Sequence, residues 1–407
     1  MRFEPLDTLI GASLGTAFPA AQVAVRLRGE LVYHQAFGQL DPEAGGPTTD
    51  LDTRFDLASV SKLFCVAAFM SLVDAGRVGL DTPVRAVLPE FRGLRPIAPY
   101  PDPLHPGGLI EVVPPGGPEA DASGVTFRNL LAHNSGLPAW LPFWRKTLRN
   151  EGPVEKTDKH LWRVIEDPGA LAEKRVEMRR MALESAFAYP TGARVVYSDV
   201  GLILIGFAVE ALTGMSLDQA VAARVTRPLG LGAGYGPVPL DNCAPTEFYA
   251  HQGRRMRGQV HDENCYAFGG VTGHAGLFAT AHDVSAFGEH LRQALAGTAA
   301  DPLLRQATLA EMTRLQAEDG NVRRGLGFAL WSPLDRAASN PLSRAAFGHL
   351  GFTGTALWMD PARALTFACL TNHVYYGRNS PDTLTDFRVA FSRAVAACID
   401  AERAPDN

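Results

Sequence analysis

Residues 55–76 read "FDLASVSKLFCVAAFMSLVDAG", and how that stretch folds decides the rest. From Leu63 onward it is apolar almost all round, the composition of a helix buried inside a large core rather than of one lying on a surface. Gly76 is placed to end that helix, since glycine takes the left-handed conformation of a C-terminal stop without steric penalty. Ser59 precedes the apolar run and is suited to cap its first turn. Ser59 and Lys62 also stand one helical turn apart and share a face. That Ser-x-x-Lys spacing arises by accident about once in five such chains, so its meaning depends on the remaining sequence.

Around it the chain has the makings of an α+β fold. "QVAVRLRG" (22–29) and "LVYHQAFG" (31–38) are short alternating runs and predict a β-hairpin. "LGFALWS" (326–332), "GTALWMD" (354–360) and "ALTFACLTN" (364–372) predict strands of an antiparallel meander. Helices are expected over 143–186, with breaks, after "YPTGARVVYSDVG" to Gly214, over 281–297 and over 382–401. The expected architecture is an antiparallel β-sheet flanked by helices and built from both termini (1–80 and 268–407). A mainly helical domain is inserted at 81–267. Within it, 92–126 is too rich in proline and glycine for interior elements and predicts a structured surface loop or flap.

Composition narrows the function. The 407 residues carry a net charge of −5, which offers no basic field for nucleic acid. Apolar residues make up 46% and charged residues 20%, as in ordinary globular proteins. No apolar window is long enough for a membrane span, and the first residues, with Glu4 and Asp7, do not resemble an export signal. The five cysteines are scattered without a Cys-x-x-Cys pair, which suits a reducing compartment. A cytoplasmic location is the expectation.

Three further motifs bear on chemistry. "VVYSDVG" offers Tyr197 in a turn between apolar segments, where a phenol could shuttle a proton. "FGHLGFTGTALWMD" (347–360) places His349 ahead of glycines that permit close approach of a ligand or of another backbone. "QVHDENC" (259–265), with His274 and His282 beyond it, matches no common metal spacing, so loop-fixing hydrogen bonds are expected there and no metal. A Ser hydroxyl needs a base, and Lys62 would serve only if burial lowered its pKa enough to make it neutral. A helix N-terminus adds N–H groups and a dipole that favour an oxyanion.

In their order, "SVSK", "LLAHNSGLP" (130–138), "YSD", "PLGLG", "GHAGLFAT" (273–280) and "GHLGFTGT" (348–355) resemble the class C β-lactamase and penicillin-binding serine hydrolase family. That family includes serine esterases and DD-peptidase-like members. The resemblance covers residues 15 to 395. It implies Ser59 as the acylated nucleophile, Lys62 as its basic partner and Tyr197 as the proton carrier. It implies His349 and Gly351 as the third motif, Asp199 as a substrate contact, and the Phe352 N–H as half of an oxyanion hole with that of Ser59. No cofactor is implied. The substrate implied is a small ester, amide or β-lactam. Asp199 stands where β-lactamases of this type carry Asn, Leu350 where Thr is common, and His349 where Lys is an alternative. These departures favour an esterase-like hydrolase. A β-lactamase or DD-peptidase, and a catalytically silent binding module, are the competing readings.

Overall fold

The computed structural model describes residues 3–103, 107–112, 117–147, 168–249, 254–378 and 381–403. Its centre is an eight-stranded, wholly antiparallel sheet. In chain order the strands are β1 (Ala20–Leu27), β2 (Glu30–Gly38), β3 (Ala317–Asp319), β4 (Val322–Arg324), β5 (Ala329–Leu330), β6 (Phe347–Leu350), β7 (Ala356–Asp360) and β8 (Leu365–Thr371). Their spatial order is β3-β4-β5-β6-β7-β8-β1-β2. The N-terminal hairpin therefore joins the C-terminal meander through β1 and β8, where Val23 faces Cys369 and Val25 faces Phe367. The β1–β2 turn needs positive φ, which Arg28 (54°) and Gly29 (99°) supply.

Two helical layers cover the sheet. On one face α1 (Glu4–Ser13) and the C-terminal helix, residues Pro381–Arg403, pack together over Val23, Val25, Trp358 and Phe367. On the other face lie α2 (Ser61–Asp74), α3 (Asp199–Thr213) and α4 (Ala281–Ala296); the C-terminal helix is α5. The second face is the larger core, and helix α2 is buried along nearly its whole length, as its composition predicts. α4 lies directly on β1, β7 and β8. It can do so because Gly288 presents no side chain: a Cβ there would meet Leu357 at 2.7 Å and Met359 at 2.9 Å.

The α+β sheet-and-helix architecture matches the expectation, with differences in detail. Only Ala329–Leu330 of "LGFALWS" is strand. The hairpin β3–β4 and the helix α1 are additional elements; both are short, and the hairpin lacks a clear alternating pattern. The described parts of the proline-rich excursion contain two short strand pairs. Leu94–Pro96 pairs with Glu119–Asp121, and Tyr100–Pro101 with Leu109–Ile110. Of the helices expected over 143–186, Phe143–Thr147 and Pro168–Leu183 are present, and 148–167 lie outside the described residues.

Candidate active site

The site is assembled where the N-terminus of α2 meets β6. The chain reaches Ser59 through the strand Phe55–Asp56, which pairs with Leu277–Ala279. Ala58 then takes φ +46°, a conformation uncommon for a residue with a Cβ. The buried Asp56 carboxylate braces this turn, accepting from the N–H of Ala58 (2.9 Å) and of His261 (2.7 Å). Ser59 sits in a 3-10 turn, Ala58–Val60, ahead of α2. It is therefore not the N-cap that the sequence suggested: the cap position is Val60, with no side-chain bond. The Ser59 hydroxyl is turned to Lys62, whose Nζ donates to Oγ at 2.8 Å.

Lys62 is the hub. It is 1% exposed, and its ammonium also donates to the His274 carbonyl (3.0 Å) and lies 2.7 Å from Asp199 Oδ1. Burial disfavours its charge and is the largest single influence. Asp199 and Tyr197 together outweigh it and hold the pKa above the ordinary lysine value. Lys62 is thus a charged ammonium, not the burial-neutralised amine that sequence reasoning required of a base. The reason is the carboxylate at Asp199, which ion-pairs with it.

Tyr197 and Asp199 arrive together. Asp199 opens α3, whose N-cap Ser198 accepts from the Gly201 N–H (3.1 Å) and donates to Pro138 O (2.7 Å). The Ser198 N–H donates to Nδ1 of His133 (3.0 Å), from the "LLAHNSGLP" segment. The His133 ring lies 4.8 Å from that of Tyr197. "LLAHNSGLP" is thus the bracket that fixes "YSD". The bracket is itself held by a capping box at Thr126 and by Gly136, where a Cβ would lie 2.1 Å from Tyr189 O. The Tyr197 hydroxyl is buried, and Lys62 and Ser59 both stand against it. Its pKa is raised by burial, with Lys62 opposing. The Lys62 ammonium and the Arg324 guanidinium each lie 5.0 Å from the ring centre.

His349 on β6 is buried beside this group, its ring 5.7 Å from the Tyr197 ring. Nδ1 lies 2.8 Å from its neighbour's carbonyl, Leu350 O, and Nε2 has no acceptor among the described residues. Burial, reinforced by Lys62 and Arg324, drives its pKa well below the usual histidine value, so it is neutral. Beyond β6, the loop Gly351–Thr355 is pinned to the segment that leads into Ser59. Thr353 Oγ1 donates to Asp56 O (2.7 Å) and Thr355 Oγ1 to Leu57 O (2.8 Å). Gly351 is obligatory there, because a Cβ would lie 2.5 Å from Leu57 O. The Phe352 backbone N–H donates to no group among the described residues, and its side chain is 43% exposed.

The polar cluster behind Lys62 separates. His274 bridges Thr272 Oγ1 (2.8 Å) and Asp262 Oδ1 (2.9 Å), and His261 meets Glu247 (2.9 Å). His282 is elsewhere, against His34. Ligand atoms of Asp199, Asp262 and His274 lie within 4.8 Å of one another and could face a cation. The Lys62 ammonium already serves as that cation at Asp199. The structure thus brings Ser59, Lys62, Tyr197, Asp199 and His349 together, with Gly351 and Phe352 on the adjoining loop. Two neighbours were not singled out from sequence: His133, whose only signal was a lone polar ring in an apolar phrase, and Arg324, one of many arginines; Asp262 lies in the polar stretch 259–265, for which loop-fixing hydrogen bonds were expected.

Residues 6–390 match the Beta-lactamase family, and the chain belongs to it. A "Putative D-alanyl-D-alanine carboxypeptidase" of Salmonella agona (strain SL483) is 24% identical over 403 residues, covering 91% of this chain and 82% of its own. Among solved structures, EstCE1, a hydrolase with promiscuous acyltransferase activity, superposes with a TM-score of 0.65 at 22% identity, covering 95% of this chain and 98% of its own. The octameric penicillin-binding protein homologue of Pyrococcus abyssi gives 0.67 at 19% identity, covering 98% and 78%. The chain is a serine hydrolase of this family, with the β-lactamase/transpeptidase-like fold. Among the described residues, no single helix is long and apolar enough to cross a membrane.

Proposed function

We propose that this protein hydrolyses ester or amide bonds of small substrates by two-step acyl transfer on Ser59, with esterase-like preference. The observation that carries the proposal is the 2.8 Å contact between Lys62 Nζ and Ser59 Oγ, beside a buried Tyr197 hydroxyl that stands against both. Lys62 and Tyr197 both hold their protons at rest, so the base is their shared site after it has lost one proton. That site takes the Ser59 proton as Oγ attacks the carbonyl carbon. The same proton then goes to the leaving group as its bond to carbon breaks. The charge developing on the carbonyl oxygen is taken by the N–H groups of Ser59 and Phe352. His349, neutral and buried, keeps the Tyr197 ring in place and adds no charge. Water, deprotonated by the same pair, releases the acid and restores Ser59.

The ionised Asp199 supports an esterase over a β-lactamase. A carboxylate tied to Lys62 only accepts, whereas an amide would donate to an acylamino group as well. Five free, buried cysteines support a reducing compartment and hence a cytoplasmic site of action. The test compares a short p-nitrophenyl ester, a chromogenic cephalosporin and a D-alanyl-D-alanine peptide with wild type and Ser59→Ala. Ester turnover falls by roughly a thousandfold or more in Ser59→Ala, and the other two substrates turn over slowly. Fast cephalosporin or peptide cleavage moves the protein to the competing activities. Failure of all three, with no labelling of Ser59 by a phosphonate, makes it a silent module.

A further inference from the structure

A cavity of about 340 Å³ lies behind the site, beneath the β4–β5–β6 edge of the sheet. Its walls include Val322, Arg324, Ala338, Leu350, Trp358 and Arg388. Leu350 follows His349, so its side chain points to the opposite face of the strand. With Trp358 it belongs to the apolar layer under α5. The cavity is therefore on the far side of β6 from Ser59, and it is large enough for a small organic ligand.

Its lining has a surplus of donors. Trp358 is 3% exposed, and its indole Nε1 has no acceptor among the described residues. The Nε atoms of Arg324 and Arg388 are buried and likewise without acceptors. Buried donors without partners are rare in folded proteins because each forfeits its hydration. Charge tells the same story. Two further arginines of the lining are neutralised: Arg336 by Asp382 (2.9 Å) and Asp386 (3.0 Å), and Arg323 by Glu318 (3.0 Å). Arg388 has no carboxylate partner among the described residues, and the Arg324 guanidinium is turned to the Tyr197 ring on the active-site side. Arg388 spends only Nη2, on the carbonyls of Gly351 (2.5 Å) and Thr355 (3.0 Å). Burial lowers its pKa to about 10, which leaves it cationic at neutral pH.

We infer that this cavity binds a small carboxylate with a compact apolar body. The carboxylate meets the Arg388 guanidinium and the Trp358 indole N–H, and the apolar body lies against Leu350 and Val322. The inference is independent of the roles proposed for Ser59 and Lys62, because the cavity opens on the other face of the sheet.

The experiment is a calorimetric titration of the full chain with phenylacetate, alongside phenylacetamide and inorganic phosphate. Phenylacetate is expected to bind saturably with one-to-one stoichiometry, and the neutral amide and phosphate are expected not to bind at the same concentration. Arg388→Gln and Val322→Glu are each expected to weaken it at least tenfold. Val322 is 42% exposed on a surface strand, so Val322→Glu decides the matter if Arg388→Gln does not fold. In ester kinetics, phenylacetate is expected not to raise KM competitively. No saturation, equal binding of phenylacetamide or phosphate, unchanged affinity in Val322→Glu, or competition with the ester overturns the inference. The titrations read binding directly and stand even if no ester is turned over.

Discussion

Asp199 is the residue on which the chemistry turns. Together with Tyr197 it outweighs burial at Lys62, and it raises Tyr197 as well. Both pKa values therefore lie above the ordinary values of 10.5 and 10.0, and the deprotonated pair becomes populated only as pH rises. The expected kcat/KM profile for an ester climbs with pH through the neutral range and beyond pH 9, on the order set by these pKa values. Asp199→Asn removes one influence that raises both groups and leaves burial at Lys62 opposed by Tyr197 alone. The acid limb of its profile moves to lower pH than in the wild type. An acid limb that stays in place or moves up contradicts the role given to Asp199.

At the scale of elements, the site depends on two close approaches that glycine permits. Gly351 lets the loop after β6 come against Leu57 and the strand of Ser59. Gly288 lets α4 lie on β7 and β8, which fixes the height of the sheet beneath the helical layer. A methyl group at Gly288 meets the side-chain ends of Leu357, Met359 and Thr366, all within 3.0 Å, and these buried side chains must shift to admit it. Gly288→Ala is therefore expected to destabilise the protein by about 1–3 kcal/mol, read as a lower urea midpoint at unchanged m-value. An unchanged midpoint shows that helix and sheet separate freely. How legible these elements were followed their length. The hairpin β1–β2, the helices α2 and α4, and the strands β7 and β8 were readable because each carries a sustained period. The two- and three-residue strands β3, β4 and β5 carry none; β5 pairs on the edge of β6, β4 on β5 and β3 on β4.

The whole molecule buries every thiol. All five cysteines are unpaired and buried, and burial pushes the Cys243 thiol up to about 12. The native protein is expected to react negligibly with a thiol-specific chromogenic disulfide at neutral pH, and to release five equivalents once unfolded in denaturant. Fast labelling of any one cysteine in the native state marks a region that opens on its own. The same compactness explains how residues distant in sequence come to share a site. β1 and β8 are hydrogen-bonded neighbours although more than three hundred residues separate Ala21 from Thr371.

The sequence by itself determined the α+β class, the buried helix after Ser59, and the order of motifs that brings Ser59, Lys62, Tyr197 and His349 into consideration. These are local matters of periodicity, turn chemistry and spacing, which a chain carries wherever it folds. The charge state of Lys62 was decided only in three dimensions. Burial and a carboxylate 137 positions along the chain act on one ammonium in opposite directions, and only their 2.7 Å separation says which prevails. The same holds for His133, which reads as a linker residue until Ser198 is found donating to it, and for Arg324, one arginine among many until it is found against the Tyr197 ring. Electrostatic and hydrogen-bond energies depend on distance and desolvation, and neither is a property of a residue's place in the sequence.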